Sequence, residues 1–143
     1  MNYRNFLNVI DKHFNGDEEV TICFLKCELF MPFDMSLLSG DMIESITNTV
    51  QYGKNVSFEN GKIIIKTKAY TMLKNGDTYN KSHGERLAYL KAKTKAVHKA
   101  RKIYEYLVTS FIPQFHEMTC ATLSKLNRLE SHLSEYQHEL AQK

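Results

Sequence analysis

Hydrophobic and polar positions along this chain of 143 residues change rhythm several times, and each rhythm predicts an element. Residues 2–14 read NYRNFLNVIDKHF, with Tyr3, Phe6, Leu7, Ile10 and Phe14 at near-helical intervals. That spacing predicts a short amphipathic helix. After the turn residues NGDEE, the stretch VTICFLKCELF is rich in β-branched and aromatic residues and predicts a largely buried strand. MPFDMS breaks it. A second helix is expected over SGDMIESITNTVQYG, with Ser39 as N-cap and Gly53 just past the end. Met42, Ile43, Ile46 and Val50 form its apolar face. In VSFENGKIIIKTKAYTML, Asn60–Gly61 separates two β-prone runs and tolerates the positive φ angles of a type I′ turn. Residues 55–73 are therefore expected to form a hairpin. KNGD, from Lys74 to Asp77, reads as another turn.

A much longer rhythm follows. Ser82 and Glu85 stand at capping-box spacing, with Asn80 as the competing cap. From there the helix is expected to run to Ile112, roughly 45 Å at 1.5 Å per residue. Leu87, Leu90, Thr94, Val97, Arg101, Tyr104, Val108 and Phe111 recur at three- and four-residue steps, a seam for another helix. Ala88, Ala92, Ala96 and Ala100 permit close approach on a neighbouring face. Pro113 ends or kinks the helix. Beyond it, Met118, Thr122, Leu126, Leu129, Leu133, Tyr136 and Leu140 mark a second seam. Two seamed helices of about 28 residues imply an antiparallel hairpin or a kinked pair. The expected fold is thus α+β: a small antiparallel sheet with N-terminal helices, then two long C-terminal helices. Residues 1–76 form the α/β region and 77–143 the long-helix region, within one folded unit. About three strands cannot cover both helices, so the spare seam leads to the expectation of a homodimer.

Composition changes this picture at one place. The chain is 43% hydrophobic and 24% charged, with a formal charge of +3. Residues 81–102 hold eight lysines and arginines against Glu85 alone, a local +7 that leaves −4 for the rest. A localised anionic partner fits such a distribution. Three cysteines and no leader pattern lead to the expectation of a reducing cytoplasm. No apolar run approaches the roughly 18 residues of a membrane helix.

Catalytic patterns are sparse. HEMTC begins like a zinc-protease motif but lacks its second histidine, and His132 and His138 do not stack on one helical face. Cys23 and Cys27 lack zinc-knuckle spacing. No nucleophile elbow, P-loop or dinucleotide glycine pattern occurs. No enzyme activity, metal or cofactor is expected. Lys91, Lys95, His98, Lys99 and Lys102 share one helical face, a stripe roughly 16 Å long. Arg86 adds charge near the helix start. Tyr79 offers a ring to stack on a base, and Asn80 an amide to pair with its edge. Such a stripe serves as a solvated face, an anionic-ligand site or a protein-docking surface. Arg101 falls on the seam instead, where an arginine snorkels outward or faces an anion-binding cavity. Lysine outnumbers arginine, which argues against sequence-specific base reading.

The pattern Gly76-Asp77-x-Tyr79-Asn80-x-x-x-Gly84-x-x-Leu87-Ala88-x-x-Lys91-Ala92-x-x-Lys95 resembles a strand–turn–helix element of small bacteriophage-encoded proteins. One such group is the anti-Thoeris sponges, which sequester a cyclic ADP-ribose signal between subunits without cleaving it. Small anti-CRISPR proteins are another. The resemblance spans residues 62–102. It implies a phage or mobile-element counter-defence protein, active in the host cytoplasm, that binds an anionic nucleotide signal. The alternative it implies is an inhibitor docking on an effector nuclease. The basic stripe itself leaves open a sequence-independent nucleic-acid-binding role.

Overall fold

The computed structural model describes residues 6–17, 19–48, 55–72 and 80–142. It divides into two compact units, Met1–Tyr106 and Leu107–Lys143. In the first, the chain forms β1 (Leu7–Gly16), β2 (Val20–Leu29), a 3-10 turn (Met35–Leu37), α1 (Gly40–Thr47), β3 (Val56–Glu59), β4 (Lys62–Met72) and α2 (Lys81–Tyr106). The strands make one antiparallel sheet in the order β1-β2-β4-β3. The protein is thus α+β, as its sequence implied.

The first segment is a strand, not the expected helix. Leu7, Val9, Lys12 and Phe14 pair with Leu29, Cys27, Leu25 and Cys23, and the register slips between Val9 and Asp11. Ile10 is the extra residue of a β-bulge. The bulge turns a period of two into steps of two, three and two, which imitates helical spacing. Gly16 closes the β1–β2 turn at φ 127°, and a Cβ there would lie 2.0 Å from the Val20 carbonyl oxygen. The Asp17 carboxylate accepts from the amides of Glu19 (2.8 Å) and Val20 (2.9 Å). These amides hold its pKa below the ordinary aspartate value.

Other expectations hold. Asn60 and Gly61 take φ angles of 51° and 79° between β3 and β4. Ser39 caps α1, accepting from the Met42 amide at 3.3 Å. Val50, Gly53 and the Lys74–Asp77 turn lie outside the described residues. At the start of α2 the cap is Asn80, whose Oδ1 accepts from the His83 amide at 3.1 Å. Ser82 and Glu85 therefore sit inside the first helical turns rather than at a capping box.

How α2 meets the sheet reverses the expected faces. Ala88, Ala92 and Ala96 are fully buried, together with Ile103. Beneath them lie the inward residues of β2 and β4, including Cys23, Leu25, Cys27, Ile63 and Ile65. The helix comes close enough for the Thr67 hydroxyl to donate to the Ala92 carbonyl at 2.9 Å. Thr71 donates likewise to the Gly84 carbonyl at 3.1 Å. A Cβ on Gly84 would meet the Thr21 hydroxyl oxygen at 2.9 Å. Larger side chains on this stripe would hold the helix off. Leu87, Leu90 and Val97, expected as a packed seam, are instead exposed.

The chain stays helical from Lys81 to Ala141, so of the expected hairpin or kinked pair no hairpin turn is seen between the two helices. A π-helical segment, Leu107–Phe111, precedes α3 (Ile112–Ala141), and Pro113 stands in the first turn of α3. Proline clashes with an α-helical carbonyl four residues back. The wider π turn just upstream alters that register and lets the helix pass through. No residue of α3 is buried. Among the described residues, no helix is long and apolar enough to cross a membrane.

Ala92→Leu should destabilise the protein by about 3 kcal/mol through overpacking against the sheet. Leu90→Ala, on the open face, should cost less than about 1 kcal/mol. Urea unfolding followed by circular dichroism measures both. Equal costs would contradict the packing face described.

Candidate anion-binding flank of helix α2

The order β1-β2-β4-β3 leaves half of one strand open. β3 pairs with β4 only between Lys62 and Ile65, and the Lys66 amide donates to the Asn55 carbonyl at 2.7 Å. Beyond that point, among the described residues, no strand covers this side of β4. Lys68 and Tyr70 share the backbone direction of Lys66, because alternate residues of a strand point the same way. Their carbonyls therefore face the open edge.

Two lysines of the predicted stripe reach them. Lys95 Nζ donates to the Lys68 carbonyl at 2.8 Å, and Lys91 Nζ to that of Tyr70 at 3.5 Å. Lysines so placed also shield an edge strand from further pairing. The partners are neutral carbonyls, so neither contact supplies a counter-charge. Ala69, Tyr70, Leu90, Lys91, Thr94 and Lys95 line an open groove of about 350 Å³ at this edge.

Farther along the same flank come His98, Lys99 and Lys102. Lys99 is half-buried, and its pKa is lowered first by that burial and then by the charge of Lys95. Among the described residues no carboxylate pairs with Lys91, Lys95, Lys99 or Lys102. The flank thus gathers like charges without neutralising them.

The remaining predicted residues fall elsewhere. Tyr79 lies outside the described residues. Asn80 caps the helix. Arg86 is exposed but stands five residues from Lys91, about 140° round the helix. Arg101 is neither buried nor free: its Nη1 donates to Glu105 Oε1 at 2.7 Å, and Nη2 lies 3.4 Å from His98 Nδ1. It borders a different groove, of about 430 Å³, with Phe6, Leu7, Leu29, Lys93, Val97 and Tyr104.

The sheet face turned away from α2 carries residues the sequence reading missed. Its rows follow the register: Asp11, Lys26 and Lys66, then His13, Phe24 and Lys68, then Asn15, Ile22 and Tyr70. His13 stacks on Phe24 with ring centres 4.7 Å apart, and Lys68 Nζ lies 6.0 Å from the Phe24 ring centre. Lys26 and Lys66 pair with Glu59, and Lys62 with Glu28, so much of the charge at that end is offset. Lys68 and the exposed Tyr70 border the α2 flank. The period-two alternation KIIIKTKAYTM carried this signal for β4; the bulge hid it for His13.

Among the described residues no three His, Cys, Asp or Glu side chains gather to hold a metal ion. Cys23 and Cys27 are fully buried, and burial pushes the Cys27 thiol up to about 11. Cys120 is exposed, with Sγ 3.5 Å from His116 Nε2. No protein family, curated protein or solved structure matches the chain.

Lys95→Met keeps the stem but loses the charged donor, and should cost about 1 kcal/mol of stability. Lys102→Met should stay within about 0.5 kcal/mol; thermal melts separate the two. A thiol reagent at mildly alkaline pH should label Cys120 alone in the folded protein, with Cys23 and Cys27 reacting only on unfolding. Fast labelling of all three thiols would contradict the buried positions of Cys23 and Cys27.

Proposed function

We propose that the protein is a binding protein rather than an enzyme, and that the basic flank of α2 holds the phosphates of an anionic ligand. The concrete reading is sequestration of a small phosphorylated nucleotide signal in phage or mobile-element counter-defence, in the host cytoplasm. The observation that carries the binding role is the uncompensated charge of Lys91, Lys95, Lys99 and Lys102. Two of these ammonium groups are already positioned by strand carbonyls, so less side-chain entropy is lost when an anion arrives. Lys99 is desolvated beside Lys95. An anion relieves that repulsion, so binding energy and charge strain are coupled. The counter-defence setting rests on the resemblance of residues 62–102. The working unit in this reading is a homodimer joined through the C-terminal helices, an expectation favoured by the absence of any buried residue in α3.

The groove at Lys91 and Lys95 is open rather than enclosed, and Tyr70 lines it. That favours, as a second reading, an extended polyanion such as single-stranded nucleic acid. Affinity falling steeply with salt would mark it.

Calorimetric titration with cyclic ADP-ribose isomers and cyclic oligonucleotides tests the first reading; no heat at micromolar ligand rejects it. In the wild-type protein affinity should fall as pH rises through the lowered pKa of Lys99, because deprotonation removes a ligand-facing charge. Stability of the free protein should rise over that interval, since the unfolded chain then binds the extra proton. Lys99→Met should weaken binding about tenfold while leaving the fold at least as stable. A Lys99→Met variant that binds as tightly as wild type would remove this residue from the site.

A further inference from the structure

A helix of 30 residues with no buried side chain has no packing to hold it. α3 is nonetheless far from uniformly polar. Its frame begins at Ile112, earlier than the sequence seam did. Positions a of a heptad are Ile112, Thr119, Leu126, Leu133 and Leu140. Positions d are Phe115, Thr122, Leu129 and Tyr136. Steps of three and four alternate without a break. The apolar members are between 45% and 59% exposed.

The two threonines do not spoil the seam. Thr119 donates its hydroxyl to the Phe115 carbonyl at 2.7 Å, and Thr122 to that of Met118 at 3.0 Å. Their hydrogen bonds are satisfied within the helix, so burying them leaves no donor unpaired.

The flanking residues decide the partner and its direction. Position g holds Met118, Lys125, His132 and Glu139; position e holds His116, Leu123, Glu130 and Gln137. In a parallel, in-register pair each g residue meets the e residue of the next heptad across the seam. Lys125 then meets Glu130 of the second copy, Met118 meets Leu123, and His132 meets Gln137. Charge meets opposite charge, apolar meets apolar, and polar meets polar. One antiparallel register that buries most of this seam sets g against g and e against e. It puts Lys125 against His132, Met118 against Glu139, and Leu123 against Glu130. Two of those contacts set an apolar side chain against a carboxylate.

We infer that α3 is one strand of a parallel, in-register, two-stranded coiled coil with a second copy of this chain. This rests on the homodimer reading above and adds its direction and register.

The test uses the full chain with Cys120→Ser and Tyr136→Cys. Light scattering behind gel filtration gives the mass, against 16.6 kDa for one chain. Mild oxidation then probes the seam. In the parallel register the two new thiols sit side by side near the helix ends and should form an interchain disulfide in nearly all of the protein. A dimeric mass without that cross-link overturns the direction and leaves the homodimer standing. A monomeric or trimeric mass overturns both. Charge exchange gives an independent measure. Lys125→Glu should weaken the dimer about tenfold, since two attractive pairs become repulsive. Adding Glu130→Lys should restore it; failure to restore rejects the Lys125–Glu130 contact.

Discussion

The close approach of α2 to the sheet governs the first unit. Gly84, Ala88, Ala92 and Ala96 present almost no side chain, so the helix backbone comes within hydrogen-bonding reach of Thr67 and Thr71. Two consequences follow from that distance. The threonine hydroxyls, otherwise costly to bury, find acceptors in helix carbonyls. The helix flank also comes within one lysine length of the open edge of β4. The contacts of Lys91 and Lys95 with strand carbonyls therefore depend on the alanines on the adjacent face. A helix held higher by leucines would leave both ammonium groups in solvent, mobile and away from the groove.

That packing explains which parts of the protein were legible in the sequence. The β3–β4 hairpin was, because Asn60–Gly61 answers a strictly local need for positive φ. So was α1 at Ser39, where a cap is satisfied within four residues. β1 was not: the bulge at Ile10 shifts the pattern by one residue, and only the partner strand shows that Val9 and Lys12 face the same way. Which face of α2 meets the sheet was not legible for a related reason. A seam of leucines and valines outweighs alanines on any hydrophobicity scale, yet a flat sheet rewards close approach over side-chain volume. Pro113 left an end or a kink open in the sequence because its effect depends on the turn before it, and a π segment there lets the helical backbone continue.

The candidate site divides along the same line. Its charge was visible in the spacing of Lys91, Lys95, His98, Lys99 and Lys102. What each cation touches was not, because carbonyl partners on β4 are set by topology. Tertiary contacts sort the group into two anchored lysines, one desolvated lysine and one exposed lysine. They also show Arg101 engaged by the Glu105 carboxylate and Asn80 employed in the helix cap. The sheet residues Lys68 and Tyr70 enter instead, brought to the flank by pairing rather than by sequence proximity.

The two units solve the problem of apolar burial in different ways. In the first, strand and helix supply each other with a surface, and the core closes within one chain. α3 packs no residue within its own unit, and in the proposed dimer its seam is buried against a second copy. Energy gained that way depends on protomer concentration, as for any folded state stabilised by association. In that proposal helicity of α3 and assembly form one equilibrium, and dilution acts on the second unit while leaving the sheet-and-helix core to its internal contacts. A heptad that is apolar at a and d yet charged at Lys125 and Glu130 suits such an equilibrium. In the proposed coiled coil the leucines supply the stability, and the flanking pair, exposed and weak on its own, selects the register among arrangements that bury nearly the same area.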